Sequence, residues 1–231
     1  MFNWRKLHRW IGIIIGIQVL LWVAGGVYMS AVPLSWVHGK HLVSPPQHIQ
    51  KPDSDVFIRL DLSDYQSISW TDRAGLPVLE VVDFDNEILF LDPTSTIPKP
   101  LPKLEQAAIK QIANQHYVGT GKLNSIDFVE SPPSEASGIR IPVYQVHFDD
   151  WCNTTLYMHP FSGKVLKVRS DIWRLFDIFW MLHIMDYESR DNINNPLLIG
   201  SAVVALFFTV SGMMLMFTWI ARLVRRRRQL A

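Results

Sequence analysis

Two histidines stand where an apolar setting would let them hold a ligand. His8 lies in "NWRKLHRWIG", wedged between basic residues at the mouth of a long apolar run. On a helix, Trp4, His8, Gly12 and Gly16 share one face at steps of four. Beyond the imidazole that face is bare, because Gly12 and Gly16 carry no side chain. Two readings fit. A G-x-x-x-G face lets two spans approach closely. The same strip leaves room for a flat macrocycle, with His8 as axial ligand to its metal. An ordinary interfacial histidine is the plain alternative.

His183 sits in "DIWRLFDIFWMLHIMDYESRD". On a helix, Phe179 and Trp180 lie one turn before it, and Asp186 and Tyr187 one turn after. Such a helix, lying flat at a membrane surface, would place its aromatics at headgroup depth. The functional reading makes His183 a second ligand packed by aromatics. Asp186 is too close along that helix to share the metal and would orient a neighbour instead.

The elements that must position these residues are apolar spans. From Ile11 to Val37 there is no Asp, Glu, Lys or Arg, and a second charge-free run goes from Asn192 to Ala221. About 20 apolar residues at ~1.5 Å each cross a hydrocarbon core of roughly 30 Å. The first run exceeds the ~7–15 residues of a signal-peptide core, and "MSAVPLSW" is a poor cleavage site, so an uncleaved anchor is expected. Arg5, Lys6 and Arg9 precede the first span; Arg222 and Arg225 to Arg228 follow the second. Basic flanks stay in the cytoplasm, which puts both termini inside and the intervening chain outside. Beside a span, the basic tail reads as a topological lock that meets anionic lipid headgroups. The net charge of +1, with 48% hydrophobic and 19% charged residues, implies a membrane protein with one soluble domain and no attraction to nucleic acid. Cys152 is the only cysteine, so no intrachain disulfide forms. In "DWCNTTLYM" it reads as a buried thiol on a strand.

The loop between the spans begins with a polar, proline-containing linker, "SPPQHIQKPDSD". "YQSISWT", "LPVLEVVDF" and "EILFLD" are strand-like, with turns at "DFDN" and "DPTST". In "LEQAAIKQIANQHY" the period becomes helical, with a stripe of Leu104, Ala108 and Ile112 and a helix expected over about 103–117. Strands resume with "LNSIDFVE", "IPVYQVHFDDW", "NTTLYMHP" and "GKVLKVRSD". Strands, helix, strands suggest an α+β domain: an antiparallel sheet with a packed helix.

That helix, followed by "VYQVHFDDW…TTLYMHPFSGKVLKV", resembles a PepSY domain. In that family a D-P-x-T-G turn precedes the last strand; here the turn is "HPFSG", with His159 and Ser162 in place of Asp and Thr. The earlier strands resemble a degenerate first copy without a clear helix. "WRKLHRWIGIIIGIQVLLWVAGGVYM" and "FDIFWMLHIMDY" are similar to the first span and the second histidine segment of PepSY-associated transmembrane proteins. The resemblance implies a bacterial inner-membrane protein with haem b on His8 and His183. It implies transmembrane electron transfer for ferric iron or ferric-siderophore reduction, as a reductase or a subunit of one. The alternative is a non-catalytic, membrane-anchored PepSY domain that binds or modulates a partner protein.

The expected organisation is a cytoplasmic N-terminus (1–10), a first span (11–36) and a periplasmic PepSY-like domain with linkers (37–170). An amphipathic interfacial helix and loop (171–191), a second span (192–221) and a basic cytoplasmic tail (222–231) follow. His8 and His183 then lie near opposite faces, ~30 Å apart, and cannot ligate one iron. A homodimer, pairing His8 with His8 or His183 with His183, or a larger membrane-protein partner, completes each site. His38, His41 and His48 read as solvated residues in a loop, and His116, His147 and His159 lie on separate elements. No hydrolase, Walker or dinucleotide-binding pattern appears. The flanking charges predict that a reporter fused after Ala231 behaves as cytoplasmic, and one inserted near Ser134–Ser137 as external. External activity from the C-terminal fusion would sink the two-span arrangement.

Overall fold

The computed structural model describes residues 4–44, 62–93 and 99–230, with the side chains among them except those of 4–9, 11, 62, 215 and 227–230. Most of the expected linker, His48, the end of "DPTST" and the side chain of His8 lie outside the described residues. The chain divides into a helical unit, Met1–Val32 with Leu175–Ala231, and a sheet unit, Pro33–Arg174.

The helical unit begins with α1 (Trp4–Ala31). Its polar Ser30 hydroxyl bonds back to the Gly26 carbonyl at 2.8 Å, so no donor is left bare at that point of an apolar helix. Helix α4 (Asp171–Ile184) stops where Met185 turns to φ +53°. Asp186 therefore lies beyond the helix rather than one turn along it. Its carboxylate gathers the loop, accepting the N–H groups of Glu188, Ser189, Asp191 and Asn192 and, at 2.6 Å, the Ser189 hydroxyl. Asn195 then starts α5 (Pro196–Leu230): its Oδ1 accepts the Leu198 N–H at 2.8 Å, and Pro196 fills the first helical position. Its Nδ2 donates to the Ile184 carbonyl at 2.8 Å, satisfying a group left over at the end of α4. This cap explains why the second helix begins four residues later than the charge-free run. It continues past Ala221 because arginine is a good helix former and no breaker intervenes. The stretches long and apolar enough to cross a membrane are Gly12–Ala31 and Pro196–Arg226.

The sheet unit opens with α2 (Leu34–Val37), one turn after Pro33. Strands β1 (Tyr65–Arg73), β2 (Leu76–Asp83) and β3 (Ile88–Leu91) form an antiparallel three-stranded sheet in chain order. The β1–β2 loop is two residues, Ala74 and Gly75, both at positive φ, which matches the right-handed twist of a tight hairpin. The expected "DFDN" turn joins β2 to β3: Asp83 Oδ1 accepts the N–H groups of Asp85 and Glu87, and Asn86 takes φ +63°. Among the described residues no helix packs on this sheet; Leu79, Val81 and Leu91 form its small core.

The second sheet is β4 (Lys122–Val129), β5 (Val143–Asp149), β6 (Thr155–Met158) and β7 (Val165–Arg169), antiparallel and again in chain order. Helix α3 (Gln106–His116) covers it, burying Ile109, Ile112 and Ala113 in one core with Val146, Phe148, Leu156 and Met158. The helix is shorter than its sequence period suggests. Leu104 is extended because its N–H donates to the Pro160 carbonyl at 2.8 Å and its carbonyl accepts the Tyr144 hydroxyl at 2.7 Å. Leu104 still reaches the core, but Ile109 supplies the stripe's centre and Ala108 only its margin. Cys152 is buried as expected, yet in the β5–β6 turn rather than on a strand. Asp150 builds that turn, accepting the Thr154 hydroxyl and N–H at 2.5 and 2.8 Å and the Tyr117 hydroxyl at 2.7 Å. Burial alone would raise the Asp150 carboxyl, but these hydrogen bonds more than offset it and hold it below the usual range.

The turn before β7 shows how a histidine replaces an aspartate. His159 Nδ1 accepts the N–H groups of Phe161 and Ser162 at 3.2 and 3.3 Å, as a carboxylate would. Ser162 Oγ accepts the Lys164 N–H at 3.3 Å. Gly163 takes φ +74°, and a Cβ there would sit 2.6 Å from Ile112 Cδ1, so the turn needs glycine for conformation and for the close approach of α3. As an acceptor, Nδ1 must be unprotonated. Burial, then the Lys164 ammonium, lowers the His159 pKa from 6.5 to about 4. The unfolded chain therefore takes up this proton first, and stability falls with pH across that interval. Thermal unfolding of the full chain should lose midpoint between pH 6.5 and about 4 from this residue. His159→Asp should remove that loss, because its carboxylate stays an acceptor there; an unchanged pH profile would refute the role.

Candidate functional site

One side of α4 lies along α1 within the helical unit. Gly25 is buried beneath Phe179, where a Cβ would sit 3.4 Å from Phe179 Cδ1, and the Tyr28 and Phe179 rings are 5.1 Å apart at their centroids. One turn on, His183 meets Trp22, with ring centroids 6.2 Å apart and planes tilted by 49°. His183 Nδ1 is enclosed without a hydrogen-bond partner, and so are Trp22 Nε1 and Gln18 Nε2. Gln18 and Trp22 lie one turn apart on the same face of α1. An unsatisfied polar group costs several kcal/mol in hydrocarbon, and polar residues there mark functional positions. Asp186 orients the loop, not the imidazole; the Ser189 hydroxyl and then the Asn192 N–H hold its carboxyl well below the usual range.

His8 is in the second turn of α1. At ~1.5 Å per residue it lies about 21 Å along the axis from Trp22, the neighbour of His183. A metal takes imidazole nitrogens at ~2 Å. One ion cannot take both.

The glycine strip is not consumed by packing inside the chain. A Cβ on Gly12 would meet Phe208 Cε1 of α5 at 3.8 Å, an ordinary contact, and one on Gly16 would meet nothing within 4 Å. Glycine is therefore dispensable for contact between α1 and α5, and the surface at Gly16 is open. An imidazole with one nitrogen enclosed among aromatics, and an open apolar strip, are the donor and the surface that haem requires. Among the described side chains, His183 could hold such a group through one nitrogen; His8, too far along α1, cannot share its metal.

The other histidines do not gather. His38 follows α2 as its cap. His41 is not solvated: its ring stacks on Trp36 at 4.7 Å, both nitrogens are enclosed without partners, and burial lowers its pKa against the opposing pull of Asp150. His147 Nδ1 lies 3.1 Å from Thr155 Oγ1, and His116 ends α3. Among the described residues no group of three or more His, Cys, Asp or Glu side chains could hold a metal ion.

Two features carry no strong sequence signal. Gln18 and Trp22 announce themselves only as a lone amide and an aromatic within a span. Glu135, in a loop, accepts the Tyr157 hydroxyl and forms an ion pair with Arg174 Nε at 2.9 Å, while Arg174 Nη1 pairs with Asp171 at 2.9 Å. Burial alone would raise the Glu135 carboxyl, but Arg174 and Tyr157 hold it below the usual range. This network fastens the first turn of α4 to the sheet; only the Asp171–Arg174 spacing hints at it.

An α+β sheet domain carried between two apolar, membrane-length helices defines a membrane-anchored protein. The chain matches the family described as the PepSY-associated TM region over residues 4–230 and belongs to it. No curated protein and no solved structure matches.

The packing predicts opposite outcomes at two glycines of one helix. Gly16→Ala should be accepted, and should raise thermal stability by up to ~1 kcal/mol through helix propensity. Gly25→Leu should displace Phe179 and lower the unfolding temperature in detergent. Equal midpoints for the two variants would contradict the α1–α4 contact.

Proposed function

We propose that this PepSY-associated membrane protein is a haem b protein of the bacterial inner membrane. Both termini are cytoplasmic and the sheet domain is periplasmic. It carries electrons across the bilayer toward ferric iron or a ferric siderophore, as a reductase or as a subunit of one. The observation that carries this reading is His183, whose Nδ1 is enclosed without a partner beside Trp22. When bound, haem supplies reversible one-electron chemistry. The chain's own residues do the rest. His183 would hold the group through one nitrogen, Trp22 and Phe179 would exclude water around it, and the strip at Gly12 and Gly16 would leave the helix surface open to it. Since one chain supplies one ligand at each depth, a homodimer or a larger membrane partner completes each site. Arg222 and the arginines after it meet anionic headgroups on the cytoplasmic side.

A second reading keeps the same topology without haem: a PepSY domain that binds or modulates a partner. The outer sides of β1 and β7, with no strand beside them, favour it. Absorbance separates the two. The purified full chain should show a Soret band. His8→Ala and His183→Ala should each lower haem per chain by about half, with insertion and dimerisation intact. Gly12→Leu should lower haem by filling the strip; if it breaks the dimer instead while His8→Ala does nothing, the glycines serve packing. A colourless wild-type protein, reconstituted with haem and still showing no Soret band, would reject the redox reading.

A further inference from the structure

A cavity of the sheet unit, about 750 Å³, lies where two sheet edges come to one groove. β7 ends the order of its sheet and β1 begins the order of the other, so each has one unpaired side. Val165 to Arg169, five consecutive residues of β7, all line the cavity, as do Trp70, Thr71 and Asp72 of β1. Successive side chains of a strand point to opposite faces. In β7 a register shift at Val165–Lys167 interrupts that alternation: Leu166 packs with Val143 and Tyr157, while Val165 and Val168 pack with the α3 core. A cavity touched by residues of both faces is met by the backbone edge, which has no strand beside it; there the Val168 carbonyl accepts Arg169 Nη1 at 2.9 Å.

The walls carry one sign of charge. Lys40, Lys164, Lys167 and Arg169 line the groove against a single carboxylate, Asp72. That carboxylate is already used, since its Oδ1 accepts the Gly75 N–H at 2.7 Å. Lys167 donates to the Ser137 carbonyl, and Arg169 Nε to that of Glu135 at 2.6 Å, so both cations are fixed in place. Lys40 and Lys164 are exposed, and their ammonium groups have no partner among the described residues.

We propose that this groove binds an extended, acidic peptide segment of a partner protein, which adds a strand along β7 beside β1. The edge is five residues, or roughly 17 Å at ~3.3 Å each, enough for a short strand. Main-chain hydrogen bonds would supply affinity and the lysines the preference for acidic side chains. The proposal stands whether or not the membrane helices carry haem.

The test is fluorescence anisotropy of a labelled, alternating Glu-Val hexapeptide with the full chain in detergent. Binding should saturate, weaken with salt, and vanish for the Lys-Val peptide and for a Glu-Val peptide N-methylated at alternate residues. Lys40→Glu with Lys164→Glu should weaken it about tenfold, as two exposed ion pairs allow. No saturable binding, or binding of the Lys-Val peptide as tight, would overturn the proposal. Undiminished binding of the N-methylated peptide would assign the cavity to a small anion instead. Binding that halves the particle mass in light scattering would assign the edge to a second copy of the chain.

Discussion

No water reaches the hydrocarbon interior of a bilayer, so every backbone and side-chain polar group there must be answered within the protein. This constraint makes Gly12–Ala31 and Pro196–Arg226 helical. It turns the Ser30 hydroxyl back onto its own helix and recruits the Asn195 amide to close the end of α4. It also makes the exceptions informative. Trp22 and His183 bring enclosed nitrogens with no partner into the α1–α4 contact, and Gln18, one turn from Trp22, adds another on α1. An apolar trio would pack as well at less cost. Their presence in the helical unit is what the proposed haem site rests on.

The sheet unit obeys the opposite logic. Its turns are made by side chains that imitate the backbone: Asp83, Asp150 and His159 each accept N–H groups from the residues that follow them. These turns set the register of successive antiparallel strands, and register decides which side chains face α3. Because both sheets run in chain order, β1 and β7 each keep one side with no strand beside it, whereas Pro100 and Leu101 bridge the outer side of β3. The burial that stabilises the core therefore leaves β7 and β1 open.

Alternation of apolar and polar residues made all seven strands legible in the sequence, and the absence of charge made the two spans legible. The α3 helix was legible in type but not in its start, because Leu104 is held by the distant Pro160 and Tyr144, which no local period records. His183 stood out by residue type and aromatic neighbours. Its contact with Trp22 did not, since nothing local pairs positions so far apart in the chain. Likewise the turn at "HPFSG" was readable as a turn, but that an imidazole does an aspartate's work in it depends on a ring orientation only the folded chain fixes.

Cys152, the single cysteine of the chain, is fully enclosed in the β5–β6 turn, and burial pushes its thiol up from the ordinary range. A thiol that is both shielded and protonated reacts slowly with maleimides and methanethiosulfonates. The native protein is thus already silent to such reagents. A cysteine placed anywhere on its surface becomes the sole labelling point, so spin labels or fluorophores can follow the helical and sheet units without first altering the wild-type background.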